Sequence, residues 1–93
     1  MKSTKILRLN SNDNVAIALE DLEPGKVIFF QHEVGSLEIE IRDTIPFAHK
    51  VAIKNINMGC NVIKYGEIIG CATENIKIGQ WVHTHNIHNQ RAQ

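Results

Sequence analysis

Two histidines one residue apart, His83 and His85, stand in the segment Trp81-Val82-His83-Thr84-His85-Asn86, and this spacing is the strongest local sign of chemistry in the chain. Inside a β-strand, residues two apart leave the same face, so the two imidazoles would share a divalent metal or an acidic substrate. Ordinary hydrogen-bonded surface histidines are the competing reading of the pair on spacing alone. A third imidazole, His49, follows Ile45-Pro46-Phe47-Ala48 and precedes Lys50 and the apolar run Val51-Ala52-Ile53. This sets a polar pair at the mouth of a strand, where binding groups are commonly placed, although a structural histidine and a solvated lysine are the alternative. Lys64-Tyr65-Gly66-Glu67, between Val62-Ile63 and Ile68-Ile69, predicts a tight hairpin presenting an ammonium, a phenol and a carboxylate together. Such a set suits a hydroxy acid, and an ordinary polar hairpin with Tyr65 packed on its edge fits as well. His32 and His88 have no comparable setting and are expected to face solvent.

The elements that must position these groups are short strands. Val15, Ile17 and Leu19 share one parity, and Leu37, Ile39 and Ile41 do so again with Glu38, Glu40 and Arg42 between them, the period of half-buried strands. Further short apolar runs are bounded by Gly, Pro, Asn or Asp, and no segment keeps a helical period for three turns. One spacing recurs: an apolar residue, Gly three positions on, and another apolar residue three further, at Leu22/Gly25/Ile28, Ile56/Gly59/Val62 and Ile76/Gly79/Val82. Glycine there permits a positive φ, so the repeated spacing predicts a tight turn that launches the next strand. Pro24 before Gly25 suits the second position of a type II turn. The copies are unevenly spaced, which points to a convoluted compact β fold and not a solenoid.

At 93 residues the chain fits one domain. Ten basic and ten acidic residues balance, so there is no electrostatic footprint for nucleic acid or an acidic membrane. Arg8, Asn10, Ser11, Asn12 and Asp13 interrupt the basic N-terminus before a signal-peptide core can form, and no later run reaches membrane-spanning length; a cytoplasmic protein is expected. Cys60 and Cys71 form no Cys-x-x-Cys pair and read as small, half-buried thiols in strands without a catalytic role. No phosphate loop, Gly-x-Ser-x-Gly elbow or His-Glu-x-x-His is present, so the chain holds polar site material without a complete catalytic set.

Taken together, Ile45-Pro46-Phe47-Ala48-His49-Lys50-Val51-Ala52-Ile53, Ile63-Lys64-Tyr65-Gly66-Glu67-Ile68-Ile69-Gly70 and Val82-His83-Thr84-His85-Asn86 look like the SAF domain of the altronate and galactarate dehydratase family. The resemblance spans nearly the whole chain, and three ordered motifs make it more specific than any one of them. One departure is Ala48, where the family pattern has Gly before the His-Lys pair. The resemblance implies an all-β, β-clip fold of the kind shared with type III antifreeze proteins, with residues 1–86 as the domain and 87–93 as a polar tail, mobile in a free monomer. In that family the SAF domain either begins a long sugar-acid dehydratase or stands as a small subunit beside a large catalytic one; the chain's end just after the His-Thr-His-Asn motif matches the small-subunit or isolated-domain form. The related sulfolactate sulfo-lyase has a small subunit of the same type.

The reaction so implied is β-elimination of water from a 2-hydroxy acid, altronate first, to give a 2-keto-3-deoxy acid. Elimination of sulfite from sulfolactate is the second expectation, and a non-catalytic module binding a carbohydrate or protein the third. The resemblance implies catalytic roles for His49, His83 and His85, with His83 or His85 a metal ligand or a general acid. Lys50 and Lys64 would pair with the substrate carboxylate, and Tyr65, Glu67 and Asn86 would bind hydroxyls. A divalent metal, iron or manganese, is expected to be held mainly by the large catalytic partner, which would also supply the base; a homo-oligomer is left open.

Overall fold

The computed structural model describes residues 5–32 and 35–89, the side chains of residues 31, 32 and 89 excepted. The expected orientation of His32 and a tail beyond residue 89 fall outside the described residues. Nine strands form three small antiparallel sheets with no helix among the described residues, as the β reading requires. β1 (Ile6–Leu7), β2 (Val15–Ala18), β5 (Lys50–Ala52) and β8 (Trp81–Val82) make the central sheet in the order β1-β2-β5-β8. β3 (Val27–His32) and β4 (Gly35–Glu40) form a hairpin, and β6 (Asn61–Lys64), β7 (Glu67–Ala72) and β9 (Ile87–Asn89) form a third sheet. Residues 87–89, expected as the start of a polar tail, instead pair with β7 through Cys71↔His88, so the fold runs on to Asn89. His88 is exposed, as expected.

Strands of two to four residues cannot hold a sheet by their own ladders, and the recurring turn supplies the missing bonds. Gly25, Gly59 and Gly79 have φ of 91°, 88° and 93°, and each closes a β-turn, with Lys26, Cys60 and Gln80 donating to the carbonyls of Glu23, Asn57 and Lys77. The amide of each glycine then donates to a buried residue of another segment at 2.8 Å: Gly25 to Ile41, Gly59 to Ala72 and Gly79 to Ala52. Those three residues donate back to Lys26, Cys60 and Gln80. A fourth copy, Pro46-Phe47-Ala48-His49, does the same with no glycine: Ala48 has φ 74°, its amide donates to Ala18, and Ala18 donates back to His49. The Gly-based spacing misses this copy because its turn residue carries a methyl group.

The turns face each other in pairs. Leu22 and Ile45 exchange two amide bonds, as do Ile56 and Ile76. The residue before each of Leu22, Ile56 and Ile76 is an Asx whose Oδ1 accepts from the facing turn: Asp21 from Phe47, Asn55 from Ile78 and Asn75 from Met58. Before Ile45 stands Thr44, opposite Pro24, which has no amide hydrogen to give; the Thr44 hydroxyl donates to Glu23 Oε1 instead.

Two apolar clusters flank the central sheet. Ala16 and Val51 face one, with Leu22, Ile39, Ile41 and Ile45; Val15 and Ala52 face the other, with Ile56, Val62, Ile76 and Val82. β2 therefore corrects the parity read from its sequence. Leu19 is 39% exposed while Ala16 and Ala18 are buried, because a strand covered on both faces buries its small residues as well as its large ones. β4 and the two residues after it keep the expected alternation, Ile39 and Ile41 buried between exposed Glu38, Glu40 and Arg42. Cys60 is exposed just before β6, not half-buried in a strand as expected, Cys71 is half-buried in β7, and both thiols are free. No helix among the described residues is long and apolar enough to cross a membrane.

The turn geometry predicts opposite outcomes for two small substitutions. A Cβ at Gly79 would collide with the Glu40 carbonyl, so Gly79→Ala should lower stability by about 2–4 kcal/mol. Ala48→Gly, which relieves the left-handed alanine, should raise it by up to about 1 kcal/mol. Urea midpoints at unchanged m-value report both.

Candidate functional site

The two turns that carry His49 and Gln80 plug onto neighbouring strands, at Ala18 of β2 and Ala52 of β5. This brings β5 and β8 together with Lys50 opposite Val82 and Val51 opposite Trp81. Trp81 is pinned at its backbone, its amide donating to Asp43 Oδ2 at 2.9 Å and its carbonyl accepting from Asn86 Nδ2 at 2.8 Å. The indole becomes the centre of an aromatic cluster. His83 stacks on it with centroids 5.0 Å apart and planes 6° from parallel, His85 lies 5.3 Å away, and His49 is 5.6 Å from the indole and 5.0 Å from His83. The indole Nε1–H donates to His49 Nδ1 at 3.2 Å.

His83 and His85 are thus together, but not by the strand expected. β8 ends at Val82, and residues 83–86 form a turn in which the amides of Asn86 and Ile87 donate to the His83 carbonyl. The cause is Asn86, only 3% exposed. Its Oδ1 accepts from the His83 amide while its Nδ2 takes the Trp81 carbonyl, satisfying groups that a longer strand would have paired. Asn86, expected to bind substrate hydroxyls, has both ends of its amide committed to this clip.

His83 and Thr84 form a ridge between two open depressions. One, about 530 Å³, is lined by Asp43, Thr44, Trp81, His83, Thr84 and His85. The other, about 350 Å³, is lined by Lys50, Lys64, Ile69, His83, Thr84 and Ile87. Lys64 arrives on the predicted hairpin, whose two turn residues Tyr65 and Gly66 both have positive φ, the geometry that fits the twist of flanking strands. Buried Asp13 fastens the hairpin tip by accepting from the Gly66 amide at 2.8 Å, and Asn14 accepts from Ile63. Tyr65 is 46% exposed with the Lys64 ammonium 4.8 Å over its ring. Tyr65 and exposed Glu67 line neither depression.

Trp81, Asp43 and Thr84 are site residues that the spacing argument passes over. Trp81 reads as one member of an apolar pair; its signal is parity, since it stands two and four positions before the histidines.

Cations crowd the ridge. Desolvation, with the charges of His49, Lys50 and His85 behind it, holds the His83 imidazole below its ordinary 6.5. Burial, followed by the Lys64 charge, lowers the Lys50 ammonium from 10.5. Among the described residues no three His, Cys, Asp or Glu side chains converge as a metal shell, so these side chains do not by themselves complete a site for the expected metal.

With this geometry in place, the sequence profile of the altronate/galactarate dehydratase SAF domain matches residues 4–90. The chain belongs to that family. It is 37% identical over 86 residues to an altronate dehydratase of Bacillus subtilis (strain 168), covering 92% of this chain and 16% of that relative. It is 32% identical over 77 residues to a (2R)-sulfolactate sulfo-lyase subunit alpha of Chromohalobacter salexigens, covering 81% of this chain and 82% of that subunit. A second such subunit, of Paracoccus pantotrophus, is 47% identical over 47 residues, half of this chain and 70% of the subunit. This SAF domain therefore spans a small part of the dehydratases it resembles and most of the sulfo-lyase subunits.

Two outcomes follow from the site. Asn86→Ala, which orphans the Trp81 carbonyl and the His83 amide, should cost about 2–3 kcal/mol and broaden the His83 and His85 ring signals in NMR spectra. Because the folded His83 value lies below 6.5, the unfolded chain binds more protons near that pH. The His83 contribution to stability is therefore complete above pH 6.5 and declines as pH falls through it. Thermal unfolding from about pH 8 to about pH 5 should show a shallower decline for His83→Gln than for the unsubstituted chain.

Proposed function

We propose that this SAF domain contributes half of the active site of a sugar-acid dehydratase, acting with a large catalytic subunit or domain to eliminate water from a 2-hydroxy acid, altronate first. The observation that carries this reading is the shared ridge: His83 and Thr84 border both a two-lysine depression and an imidazole-lined one. A sugar acid laid across it would place its carboxylate between Lys50 and Lys64 and its hydroxyls against the imidazoles. Charged hydrogen bonds of this kind are the stronger class.

The lowered value assigns a role to His83, and the other lining imidazole takes the complementary one. His83, with its lowered value, keeps a free lone pair at neutral pH and suits an acceptor. His85 is the donor to the departing hydroxyl in this reading. The catalytic partner supplies the base and, in the metal-dependent form of the reaction, most of the shell of an iron or manganese ion, with His83 and His85 as the ligands available here. The compartment proposed for this metabolic reaction is the cytoplasm.

A second reading keeps the site and changes the leaving group to sulfite, favoured by the 47% identity to a sulfolactate sulfo-lyase subunit. Co-expression with a large dehydratase subunit tests the pair. Altronate should yield a 2-keto-3-deoxy acid, and replacing both His83 and His85 by Ala should lower kcat by about 10²-fold or more. Lys64→Met should raise KM about tenfold or more. Sulfite release from sulfolactate, with altronate inert, selects the second reading, and full turnover by the double histidine variant overturns the site.

A further inference from the structure

We propose that Trp81 is a positioning residue that holds His49 in one tautomer, with its proton on Nε2. The indole N–H only donates, and it donates to His49 Nδ1 at 3.2 Å. While that bond stands, Nδ1 carries no proton, and the single proton of a neutral imidazole is on Nε2. His49 then offers its surroundings an N–H and no second lone pair. In the proposed dehydratase His49 is then suited to donate a hydrogen bond and not to act as the base; only this consequence rests on that reading.

The placement of the indole is independently secured. The Trp81 amide and carbonyl are tied to Asp43 and Asn86, and its ring is stacked within 6° on His83. The His49 backbone is held as firmly, its amide donating to Pro46 and its carbonyl accepting from Ala18. Both backbones are therefore fixed where the two rings meet, and the stacking of the indole on His83 adds a contact at the ring itself.

The experiment uses the full 15N-labelled chain at about pH 8.5, two units above the ordinary imidazole value. Long-range 1H–15N spectra of the imidazoles are recorded for the unsubstituted chain and for Trp81→Phe, which retains a ring against His83 and removes the N–H. His49 should show Nε2 protonated and Nδ1 bare in the first, and the ratio of the two forms should fall about two- to tenfold in the second, the worth of one net hydrogen bond. Exposed His88 on β9 serves as the unmoved control. In the converse variant, His49→Gln, the indole N–H of the chain's single tryptophan should shift and exchange faster with water. Should Trp81→Phe fail to fold, the indole signal of His49→Gln decides alone. Unchanged His49 nitrogens in a folded Trp81→Phe, or an unchanged indole signal in His49→Gln, overturns the proposal. Neither readout involves turnover, so failure of the dehydratase reading leaves this result standing and the reverse.

Discussion

The amide of a residue with left-handed backbone, donated into a neighbouring buried segment, is the bond on which this fold depends. At positions 25, 48, 59 and 79 it recurs at 2.8 Å, each time with a return bond to the residue that follows. A two-residue strand such as β8 has almost no ladder of its own, and ordering its backbone costs about 1–2 kcal/mol per residue. The plugged turns share that cost among segments distant in sequence. Ala18 and Ala52, which receive the turns of His49 and Gln80, are buried, as are Ile41 and Ala72, which receive the other two. The site inherits its rigidity from the same bonds, because His49 and Gln80 are themselves the residues that accept the return donation.

Much of this framework is legible in the residues alone. Three of the four turns stand out because glycine is the residue that most easily takes a positive φ, and polar residues between apolar pairs mark the Tyr65-Gly66 hairpin. Ala48 hides the fourth turn, since its conformation is imposed by its bonding and not by its own preference. The face assignment of β2 is hidden for another reason: Val15, Ile17 and Leu19 alternate correctly for a half-buried strand, but a second core on the other face overrides the pattern. Sequence periodicity reports how many faces are apolar only when the polar residues between are truly polar, and here they are alanines.

The site is legible as a set of residues and not as an arrangement. His49, Lys50, Lys64, His83 and His85 do meet, as their chemistry suggests, yet the strand expected to align the histidines stops at Val82. What brings His83 and His85 together is the indole they share and the Asn86 side chain that folds the chain back. Asn86, expected from the sequence as a substrate ligand, serves in the structure as the clip, its buried amide bonded at both ends. Tyr65 and Glu67 line neither depression; they sit exposed at the tip of the hairpin and the start of β7.

The charge pattern then constrains what the ridge can accept. His49, Lys50, Lys64, His83 and His85 are all neutral or positive, and Asp43, the carboxylate among the lining residues, already accepts from the Trp81 amide. Desolvation and mutual repulsion push Lys50 and His83 toward their neutral forms. An anion entering between them would oppose both shifts, since its charge favours the charged form of each. Binding and protonation are linked reciprocally, so an anionic ligand would take up protons on binding and would bind more tightly as pH falls toward the His83 value. A neutral sugar would gain nothing from this linkage, so an acid is the ligand that the proposed reading requires.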